Sequence, residues 1–407
     1  MQHILPQEAS AQPVRVVLYS HDSQGLGHVR RNLSIAHHIA RHFPKLTGRP
    51  VAGLLVSGLP YASTFPLPEG FDWVFIPSIH KAEGAYASRS LNASTKHLIG
   101  LRSQLLHACL LGFNPDLVII DRHIFGVMRE LQTPLITLRQ RNPEVRVVLG
   151  LREVLDAPEV AHAEWFKHGD PQNLRHLIDA IWVYGDRKVH NPVVAGEVPE
   201  CLADLVRFTG YLAQGRELTE VPTDPGLTTP FILSTAGGGS DGYQLLQTLV
   251  RTEVPDGYQH LVVAGPQMNN RKLLKLQAKA AAGTRVVGSL PGLSGLMEQA
   301  AAVISMGGYN SVNEILATDT PALIVPRETP RTEQLIRARA LQKVGAVDLL
   351  QVGNLTSALT GAWLAQAVGS RVDRSGIKRN GLTKTAKLAA ETFTNTYPAP
   401  QEEACTA

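Results

Sequence analysis

A histidine and an aspartate in the first half of the chain are the side chains best suited to catalysis. His28 follows a glycine turn that ends the first apolar run, and Asp121 directly follows a later apolar run. A histidine backed by a carboxylate suits general-base work, because its unperturbed pKa is ~6.5 and the carboxylate fixes its tautomer. Other interpretations stay open. His28 could bind a phosphate or cap its helix, Asp121 could cap the next helix, and His21 and His123 are alternative bases.

Glycine-rich loops follow apolar runs at three places in the chain. Glycine at a strand-to-helix turn lets the backbone approach a ligand, and the start of the following helix favours negative charge. The fingerprint of dinucleotide-binding loops is incomplete, since Arg30 occupies its third glycine position, and no Walker pattern occurs. The loops indicate a phosphate ligand, although tight turns or flexible loops without a ligand would look alike. The glycines concerned are Gly25, Gly27, Gly237, Gly238, Gly239, Gly307 and Gly308.

Polar side chains suited to a nucleotide and a sugar follow the third glycine loop. Asn310 and Ser311 fall in the first turn of a predicted helix, where they can bind backbone N–H groups or an anion. Glu314 lies one turn further and can accept hydrogen bonds from hydroxyls. Glu333 and Gln334 begin the next predicted helix, and an acid beside an amide suits neighbouring sugar hydroxyls. Taken singly, these residues also fit an ordinary helix cap and an ordinary surface.

An alternation of strands and helices must position these residues. Short runs rich in Val, Ile and Leu and bounded by turn residues suit parallel strands that are buried on both faces. Amphipathic stretches between them complete the pattern of an α/β fold with right-handed crossovers. The runs are at 14–19, 51–56, 73–76, 117–120, 145–149, 181–184, 231–233, 261–264, 285–287, 302–304 and 322–325. The helical stretches include 29–42, 98–111, 244–250 and 332–344.

A segment rich in Gly, Pro, Thr and charge interrupts this alternation in the middle of the chain. With 407 residues and roughly 100–200 residues per domain, two domains are expected. We predict two doubly wound, Rossmann-like parallel-sheet domains that face a cleft, at 1–210 and 231–380. Residues 211–230 are the predicted linker, and 381–407 are predicted to form a C-terminal helix and a disordered tail.

Composition and charge exclude several classes of protein. Lys and Arg number 39 and Asp and Glu 35, and a net charge of +4 is too small for a dedicated nucleic-acid binder. The 3 cysteines are far apart, which argues against a disulfide scaffold or a zinc ribbon. No signal peptide, membrane-spanning run or metal-ligand spacing occurs in the sequence, so we expect a cytoplasmic protein that needs no metal.

Arginines are concentrated in one part of the first predicted domain. Such a cluster could receive an anionic acceptor or a membrane surface. The alternative is a face that is simply solvated. The residues are Arg122, Arg129, Arg139, Arg141, Arg146 and Arg152.

Together, these motifs resemble the nucleotide-sugar signature of GT-B glycosyltransferases, with the MurG-like group and the UDP-glycosyltransferases as the nearest families. The signature reads Gly-Gly-Tyr-Asn-Ser-x-x-Glu from Gly307, followed by Pro-Arg and Glu-Gln. The Gly-Leu-Gly-His turn that ends at His28 resembles a turn of their acceptor domain. Two positions depart from the family pattern. Met306 replaces a histidine found in many plant and animal relatives, and Leu26 is inserted in a loop that is elsewhere richer in glycine.

The resemblance implies a glycosyltransferase that moves a sugar from a nucleotide-diphosphate sugar to an acceptor hydroxyl. UDP is the favoured nucleotide, and the family pattern implies inversion without a metal or a cofactor. His28 and Asp121 would be the catalytic pair of an N-terminal acceptor-binding domain, with Gly25 and Gly27 in its acceptor-side loop. The C-terminal domain would bind the nucleotide sugar through Gly237, Gly238, Gly239, Gly307, Gly308, Asn310, Ser311, Glu314, Glu333 and Gln334.

The expected partners are a nucleotide-sugar donor and an acceptor that is lipid-linked, a saccharide or a small metabolite. The arginine cluster leaves peripheral contact with a membrane open, and no nucleic acid is expected. Two alternatives stay open at this point. One is a nucleotide-sugar 2-epimerase, which shares the fold and needs no acceptor. The other is a non-catalytic protein that binds nucleotide sugars.

Overall fold

The computed structural model describes residues 12–21, 26–82, 85–217 and 226–395. Its framework consists of two parallel sheets, one of seven strands and one of six. Each sheet is covered by helices, so the predicted α/β class with two Rossmann-like domains is confirmed. None of the helices within these ranges is long and apolar enough to span a membrane.

The first domain is built on the seven-stranded sheet. Its strands are β1 (Val14–Tyr19), β2 (Val51–Ser57), β3 (Phe71–Phe75), β4 (Ile79–Ala82), β5 (Ala85–Ser88), β6 (Leu117–Asp121), β7 (Arg146–Arg152), β8 (Ala180–Tyr184) and β9 (Val206–Phe208). The sheet has the order β3-β2-β1-β6-β7-β8-β9, while β4 and β5 form a separate antiparallel pair. The strand order reverses between β1 and β6. Sheets of this kind bind ligands beyond the carboxyl ends of the strands at such a point.

Helices connect these strands and cover the sheet. They are α1 (Gly27–Thr47), α2 (Thr95–Phe113), α3 (Gln132–Arg141), α4 (Pro158–His168) and α5 (Pro171–Leu174). Helix α1 ends where Gly48 adopts φ 71° and donates its N–H to the carbonyl of Pro44. This left-handed cap is the usual way in which glycine stops a helix. The residues of β6 and β8 are all buried, as expected for central strands with helices on both faces.

The second domain repeats this architecture with the order β12-β11-β10-β13-β14-β15, again all parallel. Its strands are β10 (Phe231–Thr235), β11 (Gln259–Val263), β12 (Thr284–Val287), β13 (Ala302–Ser305), β14 (Ala322–Ile324) and β15 (Asp348–Leu349). Its helices are α6 (Tyr243–Leu249), α7 (Asn270–Gln277), α8 (Leu293–Gln299), α9 (Tyr309–Leu316), α10 (Glu333–Lys343) and α11 (Ser357–Ala367), and α12 (Gly381–Thr394) follows them. The order reverses between β10 and β13, so each domain offers a ligand-binding edge.

Helix α12 returns to the first domain. It packs along α1, and Leu382 and Leu388 belong to the first domain's core. The ring of Phe393 lies 5.8 Å from that of Phe43, centroid to centroid. The chain therefore crosses between the domains twice, and α12 ties the end of the second domain to the first.

Each predicted apolar run overlaps a strand, and each of the helical stretches named from the sequence overlaps a helix. The sequence did not reveal β9, β15 or the β4–β5 pair, because these short strands include polar residues and do not form the runs rich in Val, Ile and Leu that predicted the others. The predicted linker begins with Tyr211 and Leu212, which are fully buried. Residues 218–225 and 396–407 lie outside the described residues, so the domain boundaries and the predicted tail remain predictions.

Candidate active site

The carboxyl edges of the two sheets face each other across a cleft. The space between them is about 1770 Å³ and is open to solvent. The first domain contributes residues that follow β1, β6 and β7, and the second contributes the glycine loops after β10 and β13. Lining residues include His21, Gly27, His28, Arg122, His123 and Arg152 on one side and Gly237, Gly238, Ser311, Arg327, Glu333 and Gln334 on the other.

His28 and Asp121 form a hydrogen-bonded pair. His28 lies in the first turn of α1, and Asp121 is the last residue of β6. Nδ1 of His28 donates to the Oδ2 atom of Asp121, which is fully buried. The structure therefore brings together two residues that are 93 positions apart in the chain. Their catalytic roles remain predictions.

Two arginines complete the surroundings of this pair. Arg31, one turn after His28 on α1, forms an ion pair with the Oδ1 atom of Asp121. Nη2 of Arg152 lies 3.0 Å from Nε2 of His28, to which it donates. Because Asp121 accepts from Nδ1 and Arg152 donates to Nε2, the neutral tautomer with hydrogen on Nδ1 is fixed from both sides.

Charge and burial keep His28 neutral. Burial lowers the pKa of His28 to about 4, and Arg152 and Arg31 act in the same direction while Asp121 opposes them. Burial acts to raise the pKa of Asp121, but Arg31 and His28 outweigh it and hold that pKa well below its ordinary value. At neutral pH the pair is thus an uncharged imidazole beside a carboxylate, which is the form a general base requires.

The alternative bases lie close to His28 but lack its carboxylate. The ring centroids of His21 and His28 are 5.7 Å apart, and those of His21 and His123 are 5.1 Å apart. Nε2 of His123 accepts a hydrogen bond from Arg122, and Nδ1 of His21 is buried with no hydrogen-bond partner among the described residues. Burial lowers the pKa of both side chains, and Arg122 adds to the effect.

Two glycines in the loops of the second domain, Gly239 and Gly307, adopt backbone conformations that need glycine. Gly239 has φ 88°, and a Cβ atom there would lie 2.4 Å from the carbonyl oxygen of Ala264. Gly307 has φ 76°, and its Cβ would lie 2.6 Å from Cγ2 of Ile324. Gly308 differs, since a Cβ atom there would meet nothing within 4 Å. Gly307 therefore shapes the loop, whereas Gly308 borders open space in the cleft.

Asn310 joins the two domains at the start of α9. Its Nδ2 donates to the carbonyl oxygen of Gly27 at 3.0 Å, and its Oδ1 is buried with no hydrogen-bond partner in the part of the chain that the structure describes. A Cβ atom on Gly27 would lie 2.7 Å from that Nδ2, so the close approach requires glycine. Gly25, which we also predicted for this loop, lies outside the described residues.

The remaining predicted donor residues are divided between the cleft and its flank. Glu333 Oε1 accepts from Nη2 of Arg327 at 2.6 Å, and Glu333 Oε2 is buried with no partner within the described ranges. Gln334 Oε1 accepts from the backbone N–H of Arg327 at 3.0 Å. Glu314 is half-buried and is not among the described residues that line the cleft. Its charge acts on the guanidinium of Arg216.

The arginine cluster of the sequence is split in the structure. Arg139 and Arg146 form ion pairs with Asp179, away from the cleft. Arg122 and Arg152 line the cleft. Sequence reasoning gave no role to Arg31, although its spacing from His28 places both on one helix face, which was a usable signal.

Comparison with known proteins relates the second domain to a family and the whole chain to a fold. Residues 235–384 match the glycosyltransferase family 28 C-terminal domain. The glycotransferase of kitacinnamycin is 14% identical, with 94% of this chain and 97% of that chain covered and a TM-score of 0.59. MurG of Acinetobacter baumannii is also 14% identical, with coverage of 93% and 95% and a TM-score of 0.52.

VinC, solved in complex with dTDP, is 14% identical, with coverage of 94% and 95% and a TM-score of 0.56. No curated protein matches the sequence. The matched domain and the shared fold agree with the resemblance read from the motifs. The chain has the GT-B fold, and its residues 235–384 match a glycosyltransferase domain.

The two domains of this GT-B fold are joined across the cleft by buried contacts. Nε of Arg337 lies 2.7 Å from Oε1 of Glu153, and both side chains are fully buried. The hydroxyl of Tyr309 donates to the carbonyl oxygen of Tyr184 at 2.9 Å. The backbone N–H of Thr332, at the start of α10, donates to Asp156 at 3.0 Å. These contacts hold helices α9 and α10 of the second domain against the first domain.

The structure bears on one departure from the family pattern, Met306, and on side chains that could hold a metal. Met306 is buried in the second domain's core, where its Sδ would lie 3.1 Å from a Cβ placed on Gly242. Met306 therefore fills apolar space where a histidine would offer a hydrogen bond. In the part of the chain that the structure describes, no group of three or more His, Cys, Asp or Glu side chains could hold a metal ion.

Proposed function

We propose that the protein transfers a sugar from a nucleotide-diphosphate sugar to an acceptor hydroxyl, with His28 as the general base. The observation that carries this proposal is the pair of His28 and Asp121, which faces the glycine loops across the cleft. Nε2 of His28 would take the proton as the acceptor oxygen attacks the anomeric carbon. Asp121 would hold the imidazole in position and stabilise the imidazolium that forms.

The second domain would hold the donor diphosphate. Gly237, Gly238 and Gly308 expose backbone beside the start of α9, where free N–H groups and the helix dipole favour negative charge. The same groups would stabilise the charge that develops on the leaving nucleotide. The complex of VinC with dTDP supports a nucleoside diphosphate as the ligand. The resemblance to UDP-glycosyltransferases favours UDP among the nucleotides.

Polar side chains of the second domain would bind the sugars. Oε2 of Glu333 has no hydrogen-bond partner among the residues that the structure describes. It can accept a hydrogen bond from a sugar hydroxyl, with Gln334 beside it. Ser311 lines the cleft and is suited to the diphosphate. Glu314 would bind the ribose. The ribose would then either displace the neighbouring guanidinium of Arg216 from Glu314 or share Glu314 with it.

Inversion and independence of metal belong to the same proposal. A single displacement inverts the anomeric carbon when the base and the leaving group lie on opposite sides of the sugar, as the two edges of the cleft would place them. The carboxylates that line the cleft are already paired. Arg327 lies 2.6 Å from both Asp241 and Glu333, and Arg331 lies 2.6 Å from Glu164. We therefore expect activity to survive chelation by EDTA, and loss that Mg²⁺ or Mn²⁺ restores would contradict this.

Calorimetry with UDP, dTDP and GDP tests the donor assignment without knowledge of the acceptor. We expect UDP to bind most tightly and to raise the melting temperature, since a ligand of the native state stabilises it. Failure of all three nucleotides to bind would contradict the proposal. Product analysis with a UDP-sugar alone then addresses the alternative, because full conversion to an isomer would favour an epimerase. The acceptor's class, a cytoplasmic location and contact with membranes remain predictions.

A further inference from the structure

Arg152 differs from the other arginines that line the cleft. Arg327 and Arg331 each pair with carboxylates, and Arg122 lies 3.7 Å from Glu164. Among the described residues, no carboxylate lies within 4 Å of Arg152, and its Nε is buried without a partner. A half-buried guanidinium that faces a cleft without a counter-ion is a ready site for an anion.

The charges around Arg152 also favour the binding of an anion there. Burial lowers the pKa of Arg152 to about 9, and the like charges of Arg31, Arg122 and Arg337 act in the same direction, while Asp121 opposes them. The positive form is therefore disfavoured as the site stands. A bound anion would relieve this repulsion and stabilise the charged guanidinium.

Arg152 occupies the atom through which His28 would act as a general base. Nη2 of Arg152 donates to Nε2 of His28, which is the atom that must receive the acceptor's proton. While this contact lasts, the lone pair of Nε2 is occupied and the base is covered. An acceptor that provides only a hydroxyl would have to displace Arg152 from Nε2 of His28, and it has no negative charge to bind the displaced guanidinium.

We propose that the acceptor carries an oxyanion, a phosphate or a carboxylate, which binds Arg152 and draws its guanidinium away from Nε2 of His28. This inference rests on the general-base role proposed above for His28. The acceptor thereby uncovers the base that its own hydroxyl needs. Before it arrives, Arg152 blocks His28 from activating water, which protects the donor from hydrolysis.

The first-domain side of the cleft is suited to such an acceptor. Lys81, Arg122 and Lys167 line it together with Arg152, and Glu164 is already paired with Arg331. Arg122 has φ 74°, a left-handed conformation that is uncommon for a residue with a side chain. The positive charge on this side therefore exceeds the charge of the neighbouring carboxylates, which favours the binding of an anionic substrate.

The test measures the pKa of His28 by NMR in protein labelled with ¹⁵N-histidine, with His28→Gln used to assign the signal. The charged groups that face His28 are Asp121, Arg31, Arg152 and the neighbouring His21. Saturating inorganic phosphate or acetate should raise the pKa of His28 by about one unit in the wild type, since the bound anion offsets a positive charge. Glycerol phosphate and phosphatidylglycerol vesicles, used in turn, distinguish a soluble phosphate ester from a lipid headgroup.

The decisive comparison uses Arg152→Gln with Arg141→Gln as its control, because Arg141 is exposed at the end of α3. In Arg152→Gln the pKa of His28 should be raised without any anion, and phosphate or acetate should add nothing. Arg141→Gln should respond as the wild type does. No anion-dependent shift in the wild type, or an equal shift in Arg152→Gln, would overturn the proposal, with melting temperatures confirming that both variants fold.

Measuring the affinity of Arg152→Gln for UDP tests whether Arg152 binds the donor diphosphate instead of the acceptor. We expect its affinity for UDP to stay within about twofold of the wild type, or about 0.4 kcal/mol. A tenfold loss would assign Arg152 to the donor diphosphate and overturn the proposal. Because these measurements involve no turnover, the oxyanion site can fail while His28 is still the base, and His28 can fail as the base while the site still binds.

Discussion

The two edges of the cleft are built from different kinds of group. On the first domain, ionisable side chains meet at the ends of β6 and β7, where neutral His28 contacts Asp121, Arg31 and Arg152. On the second domain, the loop after β13 offers glycine backbone and a helix start, and Gly308 borders open space. Fixed charges around one histidine suit the transfer of a proton, whereas backbone N–H groups suit the binding of a diphosphate.

From this difference we predict that substitutions can separate catalysis from donor binding in this molecule. Substitutions on the first edge should change the rate more than the affinity for the nucleotide. Substitutions on the second edge should change the affinity and leave the pH dependence of the rate intact. Variants at each edge test this separation.

His28→Ala should have the largest effect on the rate. General-base catalysis contributes about 10²–10⁴-fold, so kcat should fall by about that factor while the Kd for UDP stays unchanged. Asp121→Asn should lower kcat less, because Asp121 only orients and stabilises the imidazole. His37→Ala, on the same helix, is the control and should behave as the wild type. A weakened UDP complex with an unchanged rate would instead make His28 a phosphate ligand.

Glu153→Gln should loosen the contact between the two edges. It leaves Arg337 buried without its carboxylate, which costs about 3–5 kcal/mol of the free energy of unfolding. We expect a lower melting temperature and, by small-angle scattering, a larger radius of gyration that donor restores only in part. Glu159→Gln, an exposed position on α4, should change neither quantity. Equal behaviour of the two variants would show that this ion pair does not hold the domains together.

Glu314→Ala should weaken donor binding without altering the pH dependence of the rate. Loss of a charge-assisted hydrogen bond to the ribose costs about 1.5–3 kcal/mol, which corresponds to roughly ten- to hundredfold in affinity. Calorimetry with UDP measures the effect, and Arg216→Gln shows whether it arises through the neighbouring guanidinium. If UDP binds Glu314→Ala as tightly as the wild type, Glu314 does not contact the ribose.

Gly307→Ala and Gly308→Ala should separate the shape of the donor loop from its contact with the ligand. Gly307→Ala forces a left-handed residue against Ile324, so it should lower the free energy of unfolding by about 1–3 kcal/mol. Gly308→Ala meets nothing within 4 Å, so it should leave the melting temperature unchanged. Its methyl group would enter the cleft and weaken UDP binding about tenfold, or about 1.4 kcal/mol. The reverse pattern would move the diphosphate away from Gly308.

The fold was predictable from the sequence because the strands are buried on both faces. Runs such as those that became β6 and β8 contain apolar residues throughout, and the glycines after β10 and β13 mark the ends of the strands. The pairing of His28 with Asp121 was predictable for a related reason. Both follow strands that are neighbours in the sheet, and the carboxyl ends of neighbouring parallel strands lie at one edge.

The electrostatic part of the site was not predictable from the sequence. Arg152 belongs to a cluster of six arginines that looks uniform in the sequence. Only the structure shows that Asp179 neutralises Arg139, whereas Arg152 has no carboxylate partner among the described residues. The buried ion pair of Glu153 with Arg337 joins residues 184 positions apart on different domains, and no local period encodes it. Contacts of this kind depend on how the two domains meet, which neither domain's pattern specifies.

The pH dependence of kcat/KM, measured in wild type and His28→Ala, tests the central claim most directly. Burial and the arginines lower the pKa of free His28 to about 4, so the wild-type rate should be constant from neutral pH downward and fall as pH drops through about 4. The fall occurs because protonated His28 has no lone pair to accept the proton. We predict that this acid limb is absent from the residual activity of His28→Ala. An acid limb of the same shape in both proteins would contradict the account.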